Sequence, residues 1–256
     1  MRDRIKMRKL LLTIMALAFF CLPSLAGAEG DMSRNPDKSV VAAVTGDVKE
    51  FAEPAPVSDP LEPWNRFIYT INDIFYHGLL KPVSILYSFI LPEPVRIAVG
   101  NFFHNLAMPK HFLSALLQGK LDVAGRELSR FGINTILGGL GFFDVAASHF
   151  NLKSGEEDIG QTLGAYGMGD ALFLEWPILG PSNLRDTLGL AGDTLLNPLS
   201  YYPNNVWTRA EIFGVKVVNH TSLRIGEYED LKKAAIDPYV ALRDAYLQMR
   251  REQIRQ

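Results

Sequence analysis

Two adjacent carboxylates, Glu156 and Glu157, and five histidines (His77, His104, His111, His149 and His220) are the residues whose types could do proton or metal chemistry. A carboxylate pair serves acid–base catalysis when one member stays protonated beside its ionised neighbour. Glu156-Glu157 reads instead as the start of a helix, where carboxylates offset the dipole. Zinc hydrolysis on a helix needs two histidines four apart with a glutamate between them, and no two of these histidines are so spaced. His104 and His111 read as helix-surface residues. A G-x-S-x-G elbow, which would present a serine nucleophile, is absent. Gly139-Leu140-Gly141 has part of a dinucleotide-loop pattern, yet no strand precedes it and the third glycine is missing. Cys21 is the only cysteine, so neither a disulfide nor a structural zinc site is expected. These residues predict no enzyme, no metal and no cofactor.

The elements that would carry such residues start with a leader. Arg2, Arg4, Lys6, Arg8 and Lys9 are followed by an apolar core from Leu10 to Leu22 and by the small-x-small site Ala26-Gly27-Ala28. These are the parts of a secretory signal, and the core is shorter than the roughly 20 residues a spanning helix needs. Phe19 and Phe20 precede Cys21, where a lipidation signal has a small residue, so cleavage after Ala28 is favoured over lipidation at Cys21. Removing the leader takes away five basic residues and Asp3. That leaves 21 basic and 27 acidic residues, a net charge of −6, which argues against a nucleic-acid partner.

The stretch from Glu29 to Ser58 is acidic and punctuated by proline, and it reads as a tether. From Asp59 the text turns helical. Asp59-Pro60 is a cap followed by a helix-opening proline, and WNRFIYTINDIFYHGLL follows. Between Pro94 and Pro109, Val95, Ala98, Val99, Phe102, Phe103 and Leu106 share one stripe, with Arg96, Asn101, His104 and Asn105 off it. Lys120 to Leu137 continues in this manner, with Glu127 and Arg130 expected to be exposed. Asn205 to Arg224 carries Val206, Ala210, Phe213 and Val217 at helical spacing. The last helix opens at Asp237-Pro238 and sets Tyr239, Leu242, Tyr246 and Met249 on one face. Period-two strands are not evident. Between Gly138 and Asn205 the many Gly and Pro breaks suit short helices joined by apolar turns. The expected fold is all-α, with a signal peptide at 1–28, a tether at 29–58, one helical domain at 59–250 and a polar tail at 251–256.

One segment is out of keeping with a soluble surface. NTILGGLGFFDVAA, from Asn134 to Ala147, places Gly138, Gly139 and Gly141 within four positions, so two apolar arms can fold back tightly. Phe142 and Phe143 then lie at or near the tip. Two readings stand: a buried helix-turn-helix corner, or an apolar hairpin that dips into lipid or lines a greasy passage. Backbone at membrane depth must be hydrogen-bonded internally, which a helical hairpin allows. LKPVSILYSFILPEP and PVRIAVGNFFHNLAMP are amphipathic and suit either a core or a membrane interface.

Five signatures carry the reading further. DPLEPWNR at Asp59, NTILGGLGFFDVA, EEDIGQTLGAYGMG at Glu156, PILGPSNLRD at Pro177 and DPYVALRDAY at Asp237 stand in the order of the MlaA/VacJ family, which the chain resembles from about Asp59 to Tyr246. The resemblance implies a ring of helices around a central amphipathic channel, seated at the inner leaflet of the outer membrane. It implies removal of mislocalised phospholipid from the outer leaflet to a periplasmic carrier, association with a trimeric porin, and no cofactor. By the same resemblance, Gly138, Gly139, Leu140, Gly141, Phe142 and Phe143 form a channel-side hairpin. Asp59, Pro60, Leu61, Glu62, Asn65 and Arg66 brace the fold. Gly180, Pro181, Leu184, Arg185 and Asp186 form a second motif in which Arg185 pairs with a carboxylate. Asp237, Pro238, Tyr239, Arg243 and Tyr246 start and pack the last helix. Departures are Pro63-Trp64, where a small residue and Phe are usual, the less typical Asp170 to Phe173, and the aromatic neighbours of Cys21. The rival readings are a structural envelope protein without lipid passage and a periplasmic lipid-modifying enzyme, which should show a nucleophile or metal set.

Overall fold

The computed structural model describes residues 59–201 and 205–256; the leader, Cys21 and the tether lie outside the described residues. Helix α1 (Glu62–Phe75) runs through one π-helical turn (Tyr76–Leu80) into α2 (Lys81–Ile90). Then come α3 (Glu93–Leu106), α4 (Met108–Leu117), α5 (Leu121–Ile136), α6 (Val145–Phe150) and α7 (Ile159–Ala165). A hairpin of β1 (Phe173–Trp176) and β2 (Gly180–Asn183) leads into α8 (Leu184–Leu196) and a short 3-10 turn (Pro198–Ser200). Helices α9 (Val206–Ser222), α10 (Glu227–Ala234) and α11 (Pro238–Arg255) complete the chain. The fold is all-α apart from that antiparallel hairpin, in which Glu175 lies opposite Pro181. Prolines stand in the first turns of α1 to α4 and of α11, where their missing N–H costs nothing. Asp144, Asp158, Asn183, Asn205 and Asp237 cap α6, α7, α8, α9 and α11 by accepting from the first-turn amides.

A two-stranded hairpin is marginal alone. Two asparagines of α1, two helical turns apart, act as its third strand. Asn65 donates to the Phe173 carbonyl at 3.1 Å and accepts from the Glu175 amide at 2.9 Å. Asn72 donates to the Trp176 carbonyl at 2.9 Å and accepts from the Ile178 amide at 2.8 Å. Period-two patterning cannot show a strand whose edge is satisfied by side chains of a distant helix. The opening and closing motifs then meet. Asn65 also donates to Asp59 at 3.0 Å, Tyr239 donates to the other Asp59 oxygen, and Arg66 grips Asp237 through bonds of 3.2 and 2.7 Å. The Arg66 guanidinium lies 4.5 Å from the Tyr239 ring centroid.

The interior is unusually polar. Among the described residues eight apolar ones are buried against nineteen polar or charged ones, so interior cohesion here rests on hydrogen bonds and ion pairs. This reverses several expectations. Glu127 and Arg130, expected outside, are buried: Glu127 accepts from Ser154 and the Gly155 amide at 3.0 and 2.7 Å, and Arg130 pairs with Asp144 at 2.8 Å. His111 is buried rather than on the surface, its Nδ1 2.8 Å from the Glu157 carbonyl. Burial, then the neighbouring Lys110 charge, lower its pKa to about 3. His104 is half-buried and stacks on His111 at 5.2 Å. Asn105, read off the α3 stripe, is buried too. Glu157 does not start a helix; it precedes the Asp158 cap and takes bonds of 2.8 Å from both Lys120 and Gln118. On α11 the buried face is Tyr239, Arg243, Leu247 and Arg250, while Met249 is half exposed. Residues 251–255 continue that helix rather than forming a tail.

Two predictions follow from this packing. A Cβ on Gly189 of α8 would lie 2.4 Å from the Gly160 amide nitrogen and 2.6 Å from its Cα. Gly189→Ala must push α7 and α8 apart and is expected to lower unfolding free energy by about 1–3 kcal/mol in denaturant titration; an unchanged midpoint would contradict this contact. Glu175 is buried with one carboxyl oxygen unpartnered and the other accepting from Asn72 at 3.0 Å. Burial raises its pKa to about 7, against a smaller opposing effect of Asn72. The folded state therefore holds a proton that the unfolded chain releases near its ordinary 4.5, so this contribution is full below that value and is lost as pH rises to about 7. Glu175→Gln should gain on the parent across that window, by at most about 3 kcal/mol. Parallel stability–pH curves for the two proteins would overturn the assignment.

Candidate lipid-contacting site

The glycine-rich turn between α5 and α6 is built by steric necessity. Gly138 cannot carry a side chain, because a Cβ would lie 2.2 Å from the Phe143 carbonyl oxygen. At Gly141 a Cβ would meet the Asn105 side chain at 2.5 Å. Gly139, Leu140 and Gly141 have φ of +59°, +63° and +93°, the left-handed region that glycine enters freely. The turn closes on itself: Leu140 donates to the Thr135 carbonyl at 3.0 Å, Gly141 to Asn134 at 2.8 Å and Phe143 to Gly138 at 2.9 Å.

Its base is polar and buried. The Asp144 carboxylate accepts from Arg130 at 2.8 Å, from Asn134 at 2.9 Å and from the Ala147 amide at 3.1 Å. Burial alone would raise the Asp144 pKa; Arg130 and Asn134 reverse that and hold it below the ordinary carboxylate value. The tip is apolar and exposed, with Ile136 80% accessible and Leu137, Leu140 and Phe143 also outside. Leu140, not the Phe pair, sits at the middle of the turn. Phe142 folds back and stacks on Phe102 of α3, centroids 5.0 Å apart and planes 16° off parallel. The segment is thus a packed corner at its base with an exposed apolar tip.

Other apolar faces are exposed in the same way. On α1, Trp64, Phe67, Ile71 and Ile74 form a helical stripe that faces out, while Asn65 and Ile68 face in. On α2, Leu86, Phe89 and Ile90 are exposed, Phe89 at 89%. Ile178 and Leu179 crown the β-hairpin, and Val206, Trp207 and Phe213 stand out from α9. A single exposed leucine needs no explanation, but whole helix faces of large apolar groups mark contact with lipid or protein. No single helix among the described residues is long and apolar enough to cross a membrane; α1–α2 and α3 pass that test together but are bent by 115°.

The remaining motif residues form two clusters away from this turn. Asp59, Glu62, Asn65, Arg66, Asp237, Tyr239 and Arg243 make the brace described above, with Glu62 accepting from Arg66 at 2.7 Å. Pro60 and Leu61 lead into α1, and Pro238 lies in the first turn of α11. Gly180, at φ +82°, opens β2, Pro181 follows it, and the Leu184 amide donates to the Leu172 carbonyl at 2.9 Å. Arg185 is buried between Asp170 and Asp186, both at 3.0 Å. Among the described residues no hydrogen bond joins either cluster to residues 138–143. Sequence reasoning missed Asp158, Asp170 and Arg250, which complete the second cluster; the signal was the spacing of Tyr239, Arg243 and Arg250, an arginine-bearing helical face.

Comparison with known proteins bears on this arrangement. The family model described as MlaA lipoprotein matches residues 57–253. An uncharacterised protein of Rickettsia typhi is 34% identical over 191 residues, 74% of this chain and 75% of that protein. The intermembrane phospholipid transport system lipoprotein MlaA of Escherichia coli (strain K12) is 33% identical over 198 residues, 75% of this chain and 76% of that protein. A solved structure reported as the structural basis for maintenance of bacterial outer membrane lipid asymmetry superposes with a TM-score of 0.69 at 32% identity, covering 77% of this chain and 100% of the other. A match that spans nearly all of the described residues and includes the turn, the brace and the arginine–aspartate cluster leaves one conclusion: the chain belongs to the MlaA lipoprotein family.

Proposed function

We propose that this protein transports phospholipid without covalent chemistry, taking mislocalised lipid from the outer leaflet of the outer membrane and passing it to a periplasmic carrier. The observation that carries this is the inverted build, with charged and amide side chains inside and whole apolar helix faces outside. Acyl chains gain by contact with such faces, and a head group needs polar partners while it moves. The helices would ring an amphipathic passage and sit on the periplasmic-leaflet side, with a trimeric porin as neighbour. The bent α1–α2/α3 pair supports a seat within one leaflet, since neither half alone is long and apolar enough to cross a membrane. We take residues 138–143 as the hairpin beside the passage and cleavage after Ala28 as the maturation step. The rival, a structural envelope protein, gives no reason for a strained apolar turn.

The test is the amount of phospholipid in the outer leaflet, read with a membrane-impermeant amine-reactive label. Deletion of the gene should raise it and the intact gene should restore it; no rise would sink the transport reading. Gly141→Leu, which collides with Asn105, and Gly139→Leu, whose Cβ at φ +59° lies 4.0 Å from the Phe143 ring, should both raise the label toward the deletion level. Wild-type labelling at normal protein abundance in both variants would remove the hairpin from the mechanism. Intact mass of the mature protein should equal the chain beginning at Glu29. A mass beginning at Cys21 with added acyl groups would replace that assignment with lipidation.

A further inference from the structure

A cavity of about 270 Å³ lies where the loop after α7 meets the last turns of α11, lined by Gly167, Gly169, Asp170, Arg185, Arg251 and Arg255 among others. It is no part of the glycine-rich turn or of the brace. It opens to solvent and has room for a phosphate-bearing head group. Its charge is unbalanced. Arg185, Arg250, Arg251 and Arg255 face Asp158, Asp170 and Asp186, one positive charge in excess. The excess is not spread evenly. Arg185 and Arg250 are buried and fully engaged with those aspartates. Asp170 is shared between Arg185, at 3.0 Å, and Arg251, at 2.7 Å through Nε alone.

The terminal nitrogens of Arg251 and the whole Arg255 guanidinium have no hydrogen-bond or ion-pair partner among the described residues. These two arginines are four apart on one helix, so they stand on one face, a turn from each other. The rest of the lining is glycine backbone with Met168 and Ile254: Gly167 has φ +91°, and a Cβ on Gly167 or Gly169 would meet nothing within 4 Å. Two arginine forks over an open floor fit the several oxygens of a tetrahedral oxyanion. The carboxylate in the cavity, Asp170, is already held by two arginines, which leaves the free donors for something else.

We propose that this cavity is a phosphate-group site gripped by Arg251 and Arg255. The proposal rests on the transport reading only for the source of the phosphate, a phospholipid head group or free phosphate. The test uses the full chain purified in detergent, titrated with inorganic phosphate by calorimetry and, separately, with vesicles of phosphatidylglycerol. Arg255→Gln breaks no bond within the protein, so its thermal unfolding should match the parent while phosphate binding weakens about tenfold. Arg251→Gln in the same chain should weaken it further. Parallel loss of vesicle binding would assign the phosphate to lipid; unchanged vesicle binding would assign it to free phosphate. No phosphate binding by the parent, undiminished binding by Arg255→Gln, or competition by an acidic peptide with none by phosphate would each overturn the site. A deletion that leaves outer-leaflet labelling unchanged would defeat the transport reading without touching these titrations.

Discussion

The guanidinium of Arg250 reaches Asp158 and Asp186 through four hydrogen bonds of 2.8 to 2.9 Å, inside a protein whose interior holds few apolar side chains. One residue thereby joins α7, α8 and α11. Asp158 is also the cap of α7, accepting from the Gln161 amide at 2.8 Å, and Asp186 takes further bonds from Arg185 and from Tyr246 at 2.6 Å. Burial alone would raise the Asp186 pKa, but Arg250, Arg185 and Tyr246 outweigh it and hold it at about 2. The close approach depends on Gly160, where a Cβ would lie 2.5 Å from the Asp186 carboxylate and 2.7 Å from Arg250. A buried ion pair contributes little over an apolar replacement, yet losing one partner costs about 3–5 kcal/mol, because the other charge stays buried. The network therefore fixes which helices meet more than it adds to stability.

That choice frees the apolar residues. A soluble domain of this size spends its Leu, Ile and Phe on a core. Here the buried apolar cluster is small, Phe173, Tyr239 and Leu247 with Tyr69, Val240 and Tyr246 packed beside it. Amides do the remaining work, Asn65 and Asn72 for the β-hairpin and Asn134 for the turn. Trp64, Phe67 and Phe89 are left for the outside. In water such faces would drive association. In lipid they remove no apolar surface from favourable contact, and the polar interior keeps its shape through directional bonds.

Much of this was legible in the sequence. Proline and Asp–Pro signals located α1, α3 and α11, and five motifs in order gave the family; Pro109, read as a helix end, lies in the first turn of α4. The polarity of each helix was less legible. Periodicity marks the apolar stripe but is silent on whether that stripe faces a core or lipid, which is why Glu127, Arg130 and Asn105 were placed on the wrong side. On α11 the buried face carries two arginines, so an apolar template shifts the helix by about a residue and puts Met249 inside. The hairpin at Phe173 was invisible because its outer edge is paired by Asn65 and Asn72, more than 100 residues earlier in the chain.

The glycine-rich turn carries its strain at Leu140. Leu140 holds φ +63° with its side chain 64% exposed. In water a glycine or asparagine would serve there better, since a left-handed leucine costs about 1–2 kcal/mol and gains no burial. The surrounding bonds impose the geometry anyway: Gly141 to Asn134, Phe143 to Gly138, and Phe142 stacked on Phe102. An apolar side chain at the strained position recovers its cost only where its exposed surface meets something other than water. Fully covering a leucine returns about 1.5–3 kcal/mol, which matches or exceeds the strain. The balance closes where the exposed leucine is covered, by lipid or by protein, and not in solvent.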